Sequence, residues 1–218
     1  LVVTNTLESP VHVSLAGTLQ NAVGWDGKSR ISGTRNPGYG GNENRVVRAR
    51  GLTCIEMTNP SVSAESNRFG QMALSLLGSN VTWLGRWDTL EAFWADFADD
   101  GDLSCTDDAA PTSPGSTANG ALCRSAWLKP GETLKATFVI SWFFPNHYVN
   151  WDQSGFGLKD RKSRFHIGTH YTTRFQSALD VAMYVSDHAE VLRKRTFDFR
   201  NSFYDSSLPY SVLDAVSS

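Results

Sequence analysis

Residues 121–144 read ALCRSAWLKPGETLKATFVISWFF. Two runs rich in apolar and β-forming residues flank Lys129-Pro130-Gly131-Glu132, where proline followed by glycine suits a tight turn. The spacing predicts a hairpin of two strands, over 121–128 and 133–144. In the second run Leu134, Ala136, Phe138, Ile140, Trp142 and Phe144 share one face by the two-residue period of a strand. The other face changes from Lys135 and Thr137 to Val139 and Phe143, so the later half is expected to be buried on both sides.

Upstream, residues 11–20 alternate, with Val11, Val13, Leu15 and Leu19 opposite His12, Ser14, Thr18 and Gln20, as in a half-buried strand. Further strand-like runs at 46–50, 52–58, 70–77 and 81–84 are separated by turn formers such as Asn59-Pro60-Ser61 and Gly78-Ser79-Asn80. Closely spaced short strands with such turns predict an antiparallel β-sandwich. A glycine-rich stretch over 24–44 reads as a long surface loop. One helix interrupts the strands near 88–98. Asp88 and Glu91 have capping-box spacing, and Leu90, Phe93, Trp94 and Phe97 form one apolar face before Asp99-Asp100-Gly101-Asp102. Residues 104–120, rich in Ser, Thr, Pro, Asp and Gly, read as an exposed, mobile spacer.

Downstream, a loop over 145–170 gathers His147, Tyr148, Trp151, Asp152, His166 and His170. A long helix is expected from about Thr172, with Phe175, Leu179, Ala182, Val185 and Leu192 as its stripe, and a second helix follows Ser206, Ser207 and Pro209. Such a stripe needs a partner. LVVTN at the start reads as mid-strand, and the second helix has no stop signal, so both termini read as cuts in a longer protein and the sandwich as incomplete at its N-terminus.

The 218 residues carry a net charge of −2, with 40% hydrophobic and 19% charged residues. That profile offers no basic excess for nucleic acid or for an anionic membrane. No apolar run approaches the roughly 20 residues that span a bilayer. Cys54, Cys105 and Cys123 are odd in number and lack CxxC spacing, which favours a reducing, cytoplasmic setting over a disulfide framework or zinc site. The Asn80-Val81-Thr82 sequon carries no weight without a secretory route.

His166 and His170 have the spacing of two metal ligands on a helix, but Gly168 between them argues for a loop or hydrogen-bonded pair. Asp99, Asp100 and Asp102 lack the regular ligand spacing of a calcium loop and read as a solvated helix end. Glu91 and Asp96 read as helix residues, not as a catalytic pair. Trp25-Asp26-Gly27 and residues 148–152 are the places best suited to sugar contact, through aromatic faces beside a carboxylate. Trp151 reads as interface packing. No GxSxG or phosphate loop is present. Catalytic, cofactor-binding and metal-ligating residues are therefore assigned to none of the positions, no cofactor is expected, and substrate-binding residues are unknown.

EAFWADF at 91–97 with its acidic tail, GALCRSAWLKPGETLKATFVISWFFPN at 120–146, YTTRFQSALDVAMYV at 171–185 and SLPYSVLDAV at 207–216 together resemble the N-terminal domain of glycoside hydrolase family 116. This family includes bacterial β-glucosidases and the non-lysosomal glucosylceramidase. The resemblance implies a β-sandwich over 1–150, a connecting loop over 151–171, and over 172–218 a linker helix and the first helix of an (α/α)6 barrel. It implies retaining hydrolysis of β-glucosides by a glutamate nucleophile and an aspartate acid/base beyond the Ser207-Leu208-Pro209 segment, hence outside this chain. Such sites hold two carboxyl groups about 5 Å apart. The implied partners are the chain's own downstream barrel and, through it, a β-glucoside. Ser211, where many relatives carry a bulky aromatic, and the basic stretch 152–170 leave the substrate open. The alternative is a stand-alone carbohydrate-binding or interaction module without catalysis.

Overall fold

The computed structural model describes residues 1–150 and 164–217. Its elements are β1 (Val2–Thr4), β2 (Val11–Gln20), β3 (Glu43–Ala49), β4 (Leu52–Thr58), β5 (Gln71–Leu77), β6 (Thr82–Trp87), α1 (Leu90–Asp100), β7 (Asn119–Leu128), β8 (Thr133–Lys135), β9 (Phe138–Phe143), β10 (Tyr148–Asn150), β11 (Arg164–His166), α2 (Ala178–Tyr204) and α3 (Tyr210–Ser217). One sheet has the order β3-β4-β5-β9 and a second the order β2-β7-β6, every pairing antiparallel. Among the described residues no helix is long and apolar enough to cross a membrane.

The two sheets face each other as a sandwich. Ile55, Met57, Leu74 and Leu76 from the first meet Leu122 of the second, with Leu15, Leu19 and Trp83 packed around them. Two inner-face glycines let the sheets approach. A Cβ on Gly17 would lie 2.7 Å from the Phe138 ring, and one on Gly120 would lie 2.9 Å from Cδ1 of Ile55. A helix packs on part of each outer face. Ala178 and Ala182 of α2 pack on Leu52, Cys54 and Ala73, while Phe93 and Phe97 of α1 pack with Leu84, Ala121 and Cys123. Alternating strands that bury residues on both faces follow from this four-layer order.

The expected hairpin over 121–144 does not form as a strand pair. Its turn exists: the Glu132 amide donates to Lys129 O at 3.0 Å, and Gly131 takes a φ of 79°. The strands on either side then part. Both edges of β7 are occupied, by β2 and β6, so β8 pairs instead with β1, Val2 opposite Lys135. The chain leaves regular pairing at Ala136 and Thr137 and enters the other sheet as β9 beside β5. Nor is the later half buried on both faces. β9 is an edge strand, and although Ser141 is buried under α2, Ile140 and Trp142 are 54% and 56% exposed where the narrower second sheet does not reach.

Four further corrections concern loops and caps. The N-cap of α1 is Thr89, whose hydroxyl accepts from the Ala92 amide at 3.2 Å; Asp88 is drawn instead to Arg86. The long helix starts at Ala178, capped by Ser177, after a 3₁₀ turn over His170–Thr173, so Phe175 lies before it and packs edge-on against Tyr184. The loop over 145–170 contains a two-stranded ribbon, with Val149 opposite Phe165; Trp151 and Asp152 lie outside the described residues. Residues 104–118 are largely exposed, as expected, yet they are pinned rather than free: the Gly85 amide donates to Thr106 O, and the Asn42 amide to the Thr112 hydroxyl.

Of the expected α1 stripe, Phe93 is buried whereas Leu90 and Trp94 are 62% and 54% exposed. Phe93→Ala should therefore cost about 3–5 kcal/mol, and Trp94→Ala about 1 kcal/mol or less. Denaturant melts of the two variants check this, and equal losses would mean that α1 does not pack as described.

Candidate functional site

At the end of the sandwich where β2 stops, the sequence places asparagines at 21, 36, 42, 44 and 59, and all five are buried. A buried amide left unpaired would cost about 1–3 kcal/mol, so each must find partners. Asn21 Nδ2 donates to Glu43 O, Asn44 Oδ1 and Thr58 O. Asn42 Nδ2 donates to Asn21 Oδ1 and Val23 O, and Asn59 Nδ2 donates to Asn42 Oδ1. Asn44 Nδ2 donates to Gly85 O at 3.0 Å, crossing from β3 to β6. Asn36 Nδ2 reaches Ser29 O and Arg30 O, and its Oδ1 accepts from the Gly38 amide. The long loop between β2 and β3 is thus folded on a polar core.

Trp25 and Asp26 sit on this loop. The Trp25 indole is 39% exposed and donates to Ser29 O. Asp26 accepts from the Ser29 hydroxyl at 2.5 Å and from the amides of Lys28 and Ser29. These bonds, the Ser29 hydroxyl foremost, hold its pKa down to about 2. Its carboxylate therefore closes the turn and is largely spoken for as an acceptor of sugar hydroxyls.

Beside the loop lies a polar cavity of about 180 Å³ lined by Thr34, Arg35, Arg86, Asp88, Ser113, Ser116 and Thr117. Arg86 forms a fork with Asp88, Nε to Oδ1 at 3.1 Å and Nη2 to Oδ2 at 3.0 Å, and Asp108 lies 3.9 Å from its Nη1. The bond to Asp88 raises the Arg86 pKa. Arg35 Nη1 donates to the Ser116 hydroxyl. A second depression, apolar and of about 230 Å³, lies between edge strand β9 and the start of α2, lined by Ile140, Trp142, Tyr171, Phe175 and Val181.

Other candidates have structural partners. Asp96 accepts from the amide and hydroxyl of Ser104, and Asp102 from the Ser125 hydroxyl. Glu91 lies in the first turn of α1. Gly101, at φ 83°, ends that helix, its amide donating to Phe97 O. His166 Nε2 meets Asn146 Oδ1 at 3.1 Å and its ring lies against Tyr148, whose hydroxyl donates to Glu65 O; His170 opens the 3₁₀ turn instead of joining it. Cys54 and Cys123 are buried, and burial pushes both thiols up to about 11, while Cys105 is exposed.

The chain matches the family described as beta-glucosidase 2, glycosyl-hydrolase family 116 N-term, over residues 1–192. It belongs to that family. No curated protein matches it. The family 116 match ends inside α2 at half-buried Leu192, after which residues 193–202 are exposed. Sequence reasoning missed the asparagine core and the Arg86–Asp88 fork of this family 116 domain. The clue was available in NPGYGGNEN, residues 36–44: asparagines so dense beside glycines are turn formers first, and their burial emerges only when β3 and β6 converge.

Two outcomes follow. Asn42→Ala strips partners from Asn21 Oδ1, Val23 O and the Gly40 amide and should lower stability by more than about 2 kcal/mol, read by chemical denaturation. At pH 8, iodoacetamide should label Cys105 and leave Cys54 and Cys123 intact until the protein unfolds, as peptide mass mapping can show. Because the folded thiols titrate above their unfolded range of about 8.5, their contribution is complete below that pH. It is lost as pH climbs towards 11.

Proposed function

We propose that this chain is the accessory N-terminal part of a retaining β-glucosidase of the glucosylceramidase-like kind. In this reading residues 1–150 support an (α/α)6 catalytic barrel, 151–171 connect to it, and the helices of 172–218 enter it. The carrying observation is the family match over residues 1–192. Two features support it. Beyond the sheet, α2 leaves Phe197, Phe199 and Tyr204 exposed, and α3 does the same with Tyr210, Val212 and Val216, surfaces that a helical neighbour would cover. Asp26, Asp96 and Asp102 are also committed to turns and hydroxyls, whereas a retaining site needs two carboxylates facing an open glycosidic bond.

The stand-alone sugar-binding alternative draws on Trp127, 71% exposed on the outer face of β7 with its ring 5.2 Å from that of His12. An open indole face suits sugar stacking.

An aryl β-glucoside assay separates the two. The 218-residue chain should show no turnover, and the same reading frame extended through a complete helical barrel should hydrolyse the substrate with retention. Equal turnover by both proteins would overturn the proposal, as would inactivity of the extended one.

A further inference from the structure

The polar cavity beside the asparagine core has donors and acceptors that the fold does not consume. A carboxylate offers about four acceptor positions. In Asp88 the Arg86 fork takes one on each oxygen, leaving the others turned to solvent at a side chain 52% exposed. Ser116 Oγ accepts from Arg35, so its own hydrogen remains to donate, and Arg35 uses one of its five N–H groups there. Thr34 and Ser113 add hydroxyls to the wall.

Charge and size narrow the ligand. Arg86 is already balanced by Asp88 and Asp108, and the open side of the Asp88 carboxylate shares the cavity with Arg35, so the wall presents both signs, an arrangement less suited to an inorganic anion than a cluster of cations alone. Adjacent donors and acceptors match vicinal hydroxyls, which donate and accept at once. The volume of about 180 Å³ is below the roughly 300–1,000 Å³ of sites for drug-sized ligands, which limits the occupant to one ring.

The walls are also held in place before any ligand arrives. The Thr117 amide donates to Thr34 O at 2.9 Å, the Asn36 amide to Gly115 O at 3.1 Å, and the Thr112 hydroxyl to Ser116 O at 2.7 Å. Thr117 Oγ1 then ties this wall to Asn21 O in the buried network. Fixed loops reduce the ordering cost of binding.

We propose that this cavity binds a single neutral pyranose, Asp88 accepting from vicinal hydroxyls that Arg35 and Ser116 also contact. The choice of a glucoside as the sugar rests on the glycosidase reading; the preference for a neutral polyol rests on the cavity itself. Calorimetric titration of the 218-residue chain with methyl β-glucopyranoside tests it, with inorganic phosphate as the second ligand. The expected result is saturable one-site binding of the glucoside, weakened at least tenfold in Asp88→Asn and in Arg35→Ala. Both side chains are at the rim, and melting curves check that each variant is folded; Ser116→Ala, a smaller change, should weaken binding in the same direction. Absence of saturation, equal binding by all variants, or binding of phosphate in place of the glucoside would overturn the assignment. An extended protein that hydrolyses glucosides while the cavity binds none would sink the cavity and spare the glycosidase reading. Binding in the cavity without hydrolysis by the extended protein would do the reverse.

Discussion

The Asn21 amide, at the point where β2 ends, reaches across the sandwich to carbonyls at the start of β3 and the end of β4. Asn44 makes the return crossing to Gly85 on β6. Apolar contacts between two sheets are non-directional and would tolerate a slide, whereas hydrogen bonds with fixed geometry would not. These crossings set how the two sheets are aligned at that end. The same amides organise the loops: Asn42 and Asn59 depend on Asn21 and Val23, Thr112 depends on Asn42, and the polar cavity inherits its walls from them. A fully satisfied buried network of this kind specifies one arrangement, and a partly satisfied one is costly.

Along the strands a second constraint operates. Gly17 faces Phe138 and Gly120 faces Ile55, so the sheets come together at points where only hydrogen occupies the Cβ position. The three-stranded sheet is narrower than the four-stranded one, and the close approach holds it over β4, β5 and the first residues of β9. The far end of β9 is left with Ile140 and Trp142 in solvent. The apolar depression beside α2 is lined by these same two side chains together with Tyr171, Phe175 and Val181.

Strand existence was legible because it is written in local alternation. Residues 11–20 and 52–58 coincide with β2 and β4, and the layer order follows from which face of each alternates inward. Pairing was not legible. Lys129 to Glu132 form the turn that their sequence suggests, but whether the strands beside a turn pair depends on which edges are already occupied, and β2 and β6 occupy those of β7 from far along the chain. The N-cap was misread by one residue because Asp88 has the right chemistry but is drawn to Arg86, leaving Thr89 to cap. The candidate site was the least legible part. Asp26 and Trp25 were identifiable by type, yet Arg35, Arg86, Asp88 and Ser116 are scattered over 82 positions and meet only after both loops fold onto the asparagine core.

Helix α2 is anchored at its base by Ala178, whose carbonyl accepts from the buried Ser141 hydroxyl at 2.8 Å, and by Ala182 on the sheet. From residue 193 its side chains are exposed save half-buried Phe203, and the twelve residues to Tyr204 extend about 18 Å at 1.5 Å per residue. An α-helix is stiff over that length, so the projecting part acts as a lever with its fulcrum on β9 and β5. A tilt of about 10° at Ala178, about 39 Å from Tyr204 at 1.5 Å per residue, swings the tip by about 7 Å, enough to convert a small repacking at the base into a large displacement of Phe199 and Tyr204.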